Sequence, residues 1–323
     1  MNLNPIHIAL AFDDKYITHF FVVITSVFYN NPDNIFHLHI IATGLNLEQK
    51  EKIINFVHQH HGEISFYEIN ATQLQGLTVP ENSYLSIAAY YRLFFPLLLP
   101  KKINKLLYVD CDLVVHGKLQ ELYNVNLGTF PFGAVAEVNS TKNRPDLGIY
   151  EEGIYFNSGV MLMNIPEWKK QSITEKSIQF IYDYPEKLKY LDQDALNVVA
   201  ENNYYRIDSR FNVLPNDIPK YIFKREYDQF LKDKVIIHYT LKQTKPWSIF
   251  SNHPYKKLYR FYFKKSPQSK DSIFVDVEMT PTFMRRLIRS RKKQIQKKLS
   301  QTSSTLVKLH ILFNFFLSII DIY

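Results

Sequence analysis

The first seventy residues alternate strand patterns with helix patterns, and this alternation limits the possible folds more than any other feature of the chain. IHIALAF (6–12) reads as a buried strand, ITHFFVVITSVFYN (17–30) as a helix, and IFHLHIIAT (35–43) as a second strand. LNLEQKEKIINFVHQHH (45–61) has the periodicity of an amphipathic helix, and EISFYEI (63–69) closes the series as a third strand. Asn30-Asn31-Pro32-Asp33-Asn34 and Thr43-Gly44 supply turns and caps. Strand, helix and strand in succession predict an α/β fold with a mostly parallel sheet and right-handed crossovers. On such sheets ligands gather at the carboxyl ends of the strands. Further along, the spacing predicts a helix over 83–95, the strand KLLYV (105–109) and the segments PFGAVAEV and YFNSGVMLMNI. It also predicts a helix over 165–182, another starting at DQDALNVVA, and the strand KVIIHYT.

A chain of 323 residues, 46% hydrophobic, can bury one large α/β core and carry an appendage. Cys111 is the sole cysteine, which excludes an intrachain disulfide and a thiolate zinc cluster and suits a reducing, cytoplasmic compartment. MNLNPIHIALAFDDKY lacks a basic leader and reads as a first core strand, not a secretory signal. Arg285, Arg286, Arg289, Arg291, Lys292, Lys293, Lys297 and Lys298 together equal the whole formal net charge of +8. The basicity is therefore concentrated in a C-terminal region, 271–323, net +5, separated by a Ser/Pro/Lys-rich stretch from a larger body, 1–270, of net +3. In LVKLHILFNFFLSIIDIY, residues His310, Asn314, Ser318 and Asp321 trace one polar stripe along an otherwise apolar helix. A basic helix followed by a striped apolar one fits a tail lying on an anionic membrane surface, with about 1 kcal/mol of attraction per cation. A nucleic acid is the competing partner for such a run. It is not expected, because the aromatics are scattered through core-like strands and form no stacking platform.

Chemistry concentrates at LLYVDCDLVV, where Asp110 and Asp112 stand between two apolar runs. Burying carboxylates there requires a positive partner, and two hard oxygen donors facing one way suit Mg²⁺ or Mn²⁺ carrying phosphate oxygens. A structural ion pair and a water-exposed loop are the alternatives. His238, ending the strand in VIIHYT, would tilt the choice toward Mn²⁺ if it joined the two acids. Lys245 follows in KPW and could neutralise a second phosphate. AFDDKY ends the first strand with Asp13 and Tyr16, residue types able to accept a uracil N–H and to stack on a base. Asp192-Gln193-Asp194 repeats the acid spacing but opens a helical pattern, where an aspartate would serve as N-cap. A metal-dependent phosphohydrolase with Asp110 as nucleophile also uses such an acid pair, but places it after its first strand.

Six segments in order, AFDDKY, SIAAYYRLFFP, LLYVDCDLVV, YFNSGVMLMN, YLDQDALN and IIHYT…KPW, resemble the family 8 glycosyltransferases over roughly residues 5–265. Within that family the chain looks most like the bacterial lipopolysaccharide and lipooligosaccharide core glucosyl- and galactosyltransferases. The resemblance implies a GT-A (Rossmann-like nucleotide-diphospho-sugar transferase) fold, with Asp110, Asp112 and His238 holding Mn²⁺, or Mg²⁺ in its place, on the diphosphate of a UDP-hexose. It further implies Asp13, Lys15 and Tyr16 at the uridine, Arg92 near the phosphates or sugar, and Asn157 and Asp192 on sugar hydroxyls. Gln193 would lie beside the anomeric carbon and Lys245 on the diphosphate. Such enzymes retain the anomeric configuration, by front-face attack or through a covalent intermediate on a carboxylate such as Asp192. The implied acceptor is a lipid-linked oligosaccharide at the inner face of the bacterial cytoplasmic membrane. The chain departs from the family pattern at Leu241, where glycine is usual, at Glu137, where aspartate is usual, and at Lys15, a position often uncharged.

Overall fold

The computed structural model describes residues 4–79, 86–138, 144–221, 223–270, 273 and 281–300, together with 304, 305, 308, 309 and 312. Nine strands are described: β1 (Ile6–Asp13), β2 (Phe36–Thr43), β3 (Glu63–Tyr67), β4 (Lys105–Val109), β5 (Leu113–Val115), β6 (Phe132–Ala136), β7 (Phe156–Asn164), β8 (Tyr205–Arg206) and β9 (Ile236–His238). Seven of them form one sheet in the order β3-β2-β1-β4-β7-β6-β8. β3, β2, β1 and β4 run parallel to one another, β7 is antiparallel to both β4 and β6, and β8 is parallel to β6. The sheet is thus mostly parallel, with one reversed strand beside the acid pair.

Both faces are covered. Ile6, Ile8, Leu10 and Phe12 of β1 meet Phe20, Phe21 and Ile24 of α1 (Ile17–Asn30) on one side. Ala9, Ile41, Tyr108 and Met161 meet Tyr90, Phe94 and Trp168 on the other. α1 is apolar all round because it is covered twice, by the sheet and by the helix Lys256–Lys265, whose Tyr259 hydroxyl lies 2.6 Å from His19 Nδ1. α2 (Leu47–Gln59) buries only Ile53, Phe56 and Val57, and a reciprocal capping box between Asn46 and Gln49 fixes its start.

Several elements differ from the periodicity reading. Ile87–Phe94 is a 3₁₀ helix followed by the single turn Phe95–Leu98. The helix expected over 165–182 breaks at Ser172, which adopts a left-handed φ of 53° between helices Ile165–Lys170 and Ile173–Asp183. The strand bearing His238 is not in the main sheet. β9 pairs antiparallel with β5 in a two-stranded ribbon, with His238 opposite Leu113. Among the described residues no helix is long and apolar enough to cross a membrane. The polar stripe of His310, Asn314, Ser318 and Asp321 lies outside the described residues.

Candidate active site

Asp110 and Asp112 occupy the short link between β4 and β5, at the carboxyl end of β4. The link bends at Cys111 and Asp112; Cys111 packs against the core beneath the cavity, and both carboxylates line it. Backbone bonds hold the link on both sides: Asp110 N–H donates to Gly159 O at 2.8 Å, and Asp112 O accepts from Tyr239 N–H at 2.9 Å. The β5–β9 ribbon then carries His238 to the acids. Its Nε2 lies 2.8 Å from Asp112 Oδ1 and 3.8 Å from Asp110 Oδ2, and one ligand atom from each of the three residues falls within 4.8 Å of the others.

The hydrogen-bond network fixes which imidazole nitrogen faces the acids. Gly159 N–H donates to Asn157 Oδ1 at 3.0 Å, which orients that amide. Asn212 Nδ2 donates to the same oxygen at 2.9 Å, so Asn212 Oδ1 is left as an acceptor, 2.9 Å from His238 Nδ1. The network therefore assigns a proton to Nδ1 and aims Nε2 between the carboxylates, where a proton or a metal cation is needed to relieve lone-pair repulsion. Lys245 Nζ is hydrogen-bonded to Asp112 Oδ2, a resident cation at the same place. Burial pushes the Asp112 carboxyl up, but Lys245 and His238 together outweigh it and hold the group below the ordinary carboxylate range. Two ionised oxygens, an oriented imidazole and an ammonium drawn to the same point fit a divalent cation.

Arg92, buried in the 3₁₀ segment, joins this cluster to the second acid pair. Its Nη2 lies 3.0 Å from Asp110 Oδ1 and its Nε 2.9 Å from Asp192 Oδ2, while its guanidinium stacks 4.5 Å above the Tyr108 ring. Asp192 is not an N-cap. Leu191 holds that position with a φ of 52° and ψ of −117°, a conformation costing about 1–3 kcal/mol that aims Asp192 inward. Burial pushes the Asp192 carboxyl up to about 7, opposed by Arg92. Gln193 is held on every side: Oε1 accepts from Ser158 N–H at 3.0 Å and Asn157 Nδ2 at 3.1 Å, and Nε2 donates to Tyr155 Oη at 3.1 Å and Glu137 Oε1 at 3.3 Å.

Together these residues line one cavity of about 540 Å³ along the carboxyl edge of the sheet, which Asp13, Tyr16, Glu137 and Leu241 also border. Asp13 Oδ1 is buried without a hydrogen-bond partner, an acceptor left free. Tyr16 stands edge-on to Trp247 at 6.3 Å, and Trp247 stacks on His19 at 3.7 Å, so the KPW segment is anchored on α1. Lys15 is exposed and does not line the cavity. Leu241 has φ −87° and ψ 139°, ordinary extended backbone, so the local path requires no glycine.

Sequence reasoning missed Gly159, Asn212, Ser158 and Tyr155. A Cβ on Gly159 would lie 2.2 Å from His238 Cε1 and 2.5 Å from Asp110 Oδ2, so only glycine lets β7 pass behind the three ligand-type residues. A glycine inside the apolar strand YFNSGVMLMN was the available signal. Asn212 carried none, since it lies outside every recognisable segment; Tyr155 and Ser158 stand in that same strand segment, where nothing local marks them as partners of Gln193.

Residues 7–250 match the description "Glycosyl transferase family 8". Lipopolysaccharide 1,2-glucosyltransferase of Escherichia coli is 30% identical over 269 residues, covering 81% of this chain and 78% of that protein. General stress protein A of Bacillus subtilis (strain 168) is 28% identical over 266 residues, covering 79% of this chain and 92% of that protein. The galactosyltransferase LgtC, solved with donor and acceptor sugar analogues, superposes with a TM-score of 0.70 at 24% identity, covering 81% of this chain and 96% of that one. That likeness identifies the sheet and its flanking helices as a GT-A-like fold. With the family match running from β1 to beyond the KPW segment, the chain is a glycosyltransferase and belongs to glycosyl transferase family 8.

Proposed function

We propose that the protein is a retaining, Mn²⁺-dependent hexosyltransferase that moves galactose or glucose from a UDP-sugar to a lipopolysaccharide or lipooligosaccharide core glycan. One observation carries the reading: Asp110, Asp112 and His238 converge within 4.8 Å at the mouth of the cavity bordered by Asp13 and Tyr16. The names of the E. coli glucosyltransferase and of LgtC supply the two candidate hexoses and the acceptor class. In this reading 1–270 is the catalytic body and 271–323 a membrane-associating region.

The three converging residues would hold the cation, which when bound supplies Lewis-acid stabilisation of the leaving diphosphate. Asp13 accepts from the uracil N–H, Tyr16 packs against the base, and Lys15 acts from the rim. Lys245, hydrogen-bonded to Asp112, would offer its ammonium to the diphosphate beside the cation that Asp112 would help hold. Arg92 holds Asp110 and Asp192 in place, and Asp192 with Asn157 meets the sugar hydroxyls. Gln193 lies beside the anomeric carbon as a fixed dipole. An amide with four partners is a poor nucleophile, and Asp192 Oδ2 is already shared by Arg92 and Ser158. Front-face attack fits these residues better than a covalent intermediate. The bond from C1 to the phosphate oxygen breaks, the acceptor oxygen bonds C1 on the same face, and its proton passes to the departing phosphate.

Screening UDP-sugars for UDP release with Mn²⁺ and with EDTA tests the proposal. One UDP-hexose should be cleaved only with the metal, and equal rates in EDTA would refute it. The helix Pro281–Ser300 exposes Arg285, Arg286, Arg289, Lys292 and Lys293, which supports peripheral attachment to an anionic inner leaflet. Deleting 283–323 should abolish flotation with anionic vesicles while sparing UDP-sugar hydrolysis; undiminished flotation would refute the attachment.

A further inference from the structure

A second cluster of metal-ligand residues stands at the opposite, amino-terminal end of the same sheet. His7 and His37 are the second residues of β1 and β2 and are register partners, and His39 is two residues further along β2, on the same face. The three rings lie close together: centroids are 5.4 Å apart for His7 and His37, 5.2 Å for His7 and His39, and 4.3 Å for the stacked pair His37 and His39. His7 Nδ1 is 2.9 Å from His39 Nε2, and one nitrogen of each ring falls within 4.8 Å of the other two. The cluster takes no part in the proposed transfer. Six residues of strand separate His7 from Asp13, roughly 20 Å.

Strand β3 provides the outer contacts that a ligating imidazole requires. His39 Nδ1 is 2.8 Å from the Tyr67 hydroxyl, His37 Nε2 is 2.8 Å from Ser65 Oγ, and His37 Nδ1 is 3.1 Å from Glu63 Oε2. With Tyr67 accepting from Nδ1–H, His39 turns the lone pair of Nε2 toward His7; His37 exchanges one of its two partners for an ion. His39 is fully buried, and the half-buried His7 and His37 leave the approach open from the surface.

The geometry points to a second cation site, in which His7, His37 and His39 bind a first-row transition ion of the Zn²⁺, Co²⁺ or Ni²⁺ class and tie β1 to β2. Three imidazoles without a carboxylate select such ions over Mg²⁺ and Ca²⁺, and water takes the remaining position.

Co²⁺ is the probe, because its visible absorption reports imidazole ligation without any assay of transfer. The full chain carrying Asp112→Asn, which disables the other cluster, should bind about one equivalent of Co²⁺ with tetrahedral-type bands. Adding His37→Asn or, separately, His7→Asn should weaken that binding at least about tenfold. Both replacements are at half-buried rings, and unchanged circular dichroism and metal-free melting certify the fold. A Co²⁺ complex equally tight in both double variants would mean that exposed histidines such as His58, His60 and His61 hold the ion, and would overturn the site. Failure of the Asp112→Asn chain to bind Co²⁺ would overturn it too.

Discussion

The chain carries the same three-residue acid spacing twice, as Asp110-Cys111-Asp112 and as Asp192-Gln193-Asp194, and folding puts the two copies to opposite uses. The first lies in the bend that links two strands, and both of its carboxylates reach the cavity. The second lies in a helix, where residues two apart face different ways. Asp192 turns to Arg92 and the cavity, while Asp194 is enclosed. Asp194 Oδ1 accepts from Arg144 Nη1 and from the Tyr155 hydroxyl, each at 2.6 Å, and Oδ2 accepts from the N–H groups of Lys189 and Tyr190, each at 2.7 Å. An acid saturated by four donors serves architecture; an acid whose partners are a movable lysine and an imidazole can take a cation. The backbone, not the motif, makes the difference.

The largest test of that contrast is Asp112→Asn. It removes a proposed cation ligand and Lys245's partner, so transfer and UDP-sugar hydrolysis should both fall by at least about 10³-fold, a loss of about 4 kcal/mol of transition-state stabilisation. The urea midpoint should fall only modestly, because Lys245 lines the cavity and can turn to water once its counter-charge is gone. A variant retaining near-full Mn²⁺-dependent rate would remove the catalytic half of the comparison. Asp194→Asn should behave in reverse. It leaves the buried Arg144 guanidinium without its enclosed counter-charge and should cost about 3–5 kcal/mol of stability, read by urea unfolding. The rate per folded molecule should change far less than in Asp112→Asn. An Asp194→Asn chain as stable as the parent would show that its four donors are not structural.

The contrast also measures how far the sequence could be read. The parallel half of the sheet was legible because β1, α1, β2, α2 and β3 each carry an uninterrupted period, and α1 spans Ile17–Asn30 as the apolar run indicated. Asp110, Asp112 and His238, read from their strand context, and Arg92, Asn157 and Gln193, named from the family resemblance, meet around one cavity. What escaped depends on long-range pairing. Strand character placed His238 near a sheet edge, but nothing local says that β9 pairs with β5 in a separate ribbon. Asn212, on which the His238 tautomer turns, caps the short 3₁₀ turn Ser209–Phe211, which has no recognisable pattern. The break at Ser172 has the same origin, since Thr174 Oγ1, which accepts from the Trp168 indole N–H at 2.9 Å, donates to Leu93 O at 2.7 Å across the fold, a contact that periodicity alone reads through.

The smallest expected effect separates Asp192 from both of its neighbours, through pH. Its folded value near 7, against an ordinary 3.8, means the folded state keeps a proton there that the unfolded chain has lost. A raised carboxyl contributes stability that is fully present below about 4 and is lost as pH climbs through 7. Buried His19 and His253, each lowered by burial to about 3, act with the opposite sign: their contribution is complete above about 6.5 and drains away as pH falls. Between pH 4 and 6.5 the Asp192 carboxyl runs against the more numerous histidines and flattens the parent's profile. Asp192→Asn deletes only the carboxyl term, so its urea midpoint should rise more steeply with pH over that window than the parent's. Parallel pH profiles would mean that Arg92 keeps Asp192 ionised throughout, which would make both members of the second acid pair fixed charges.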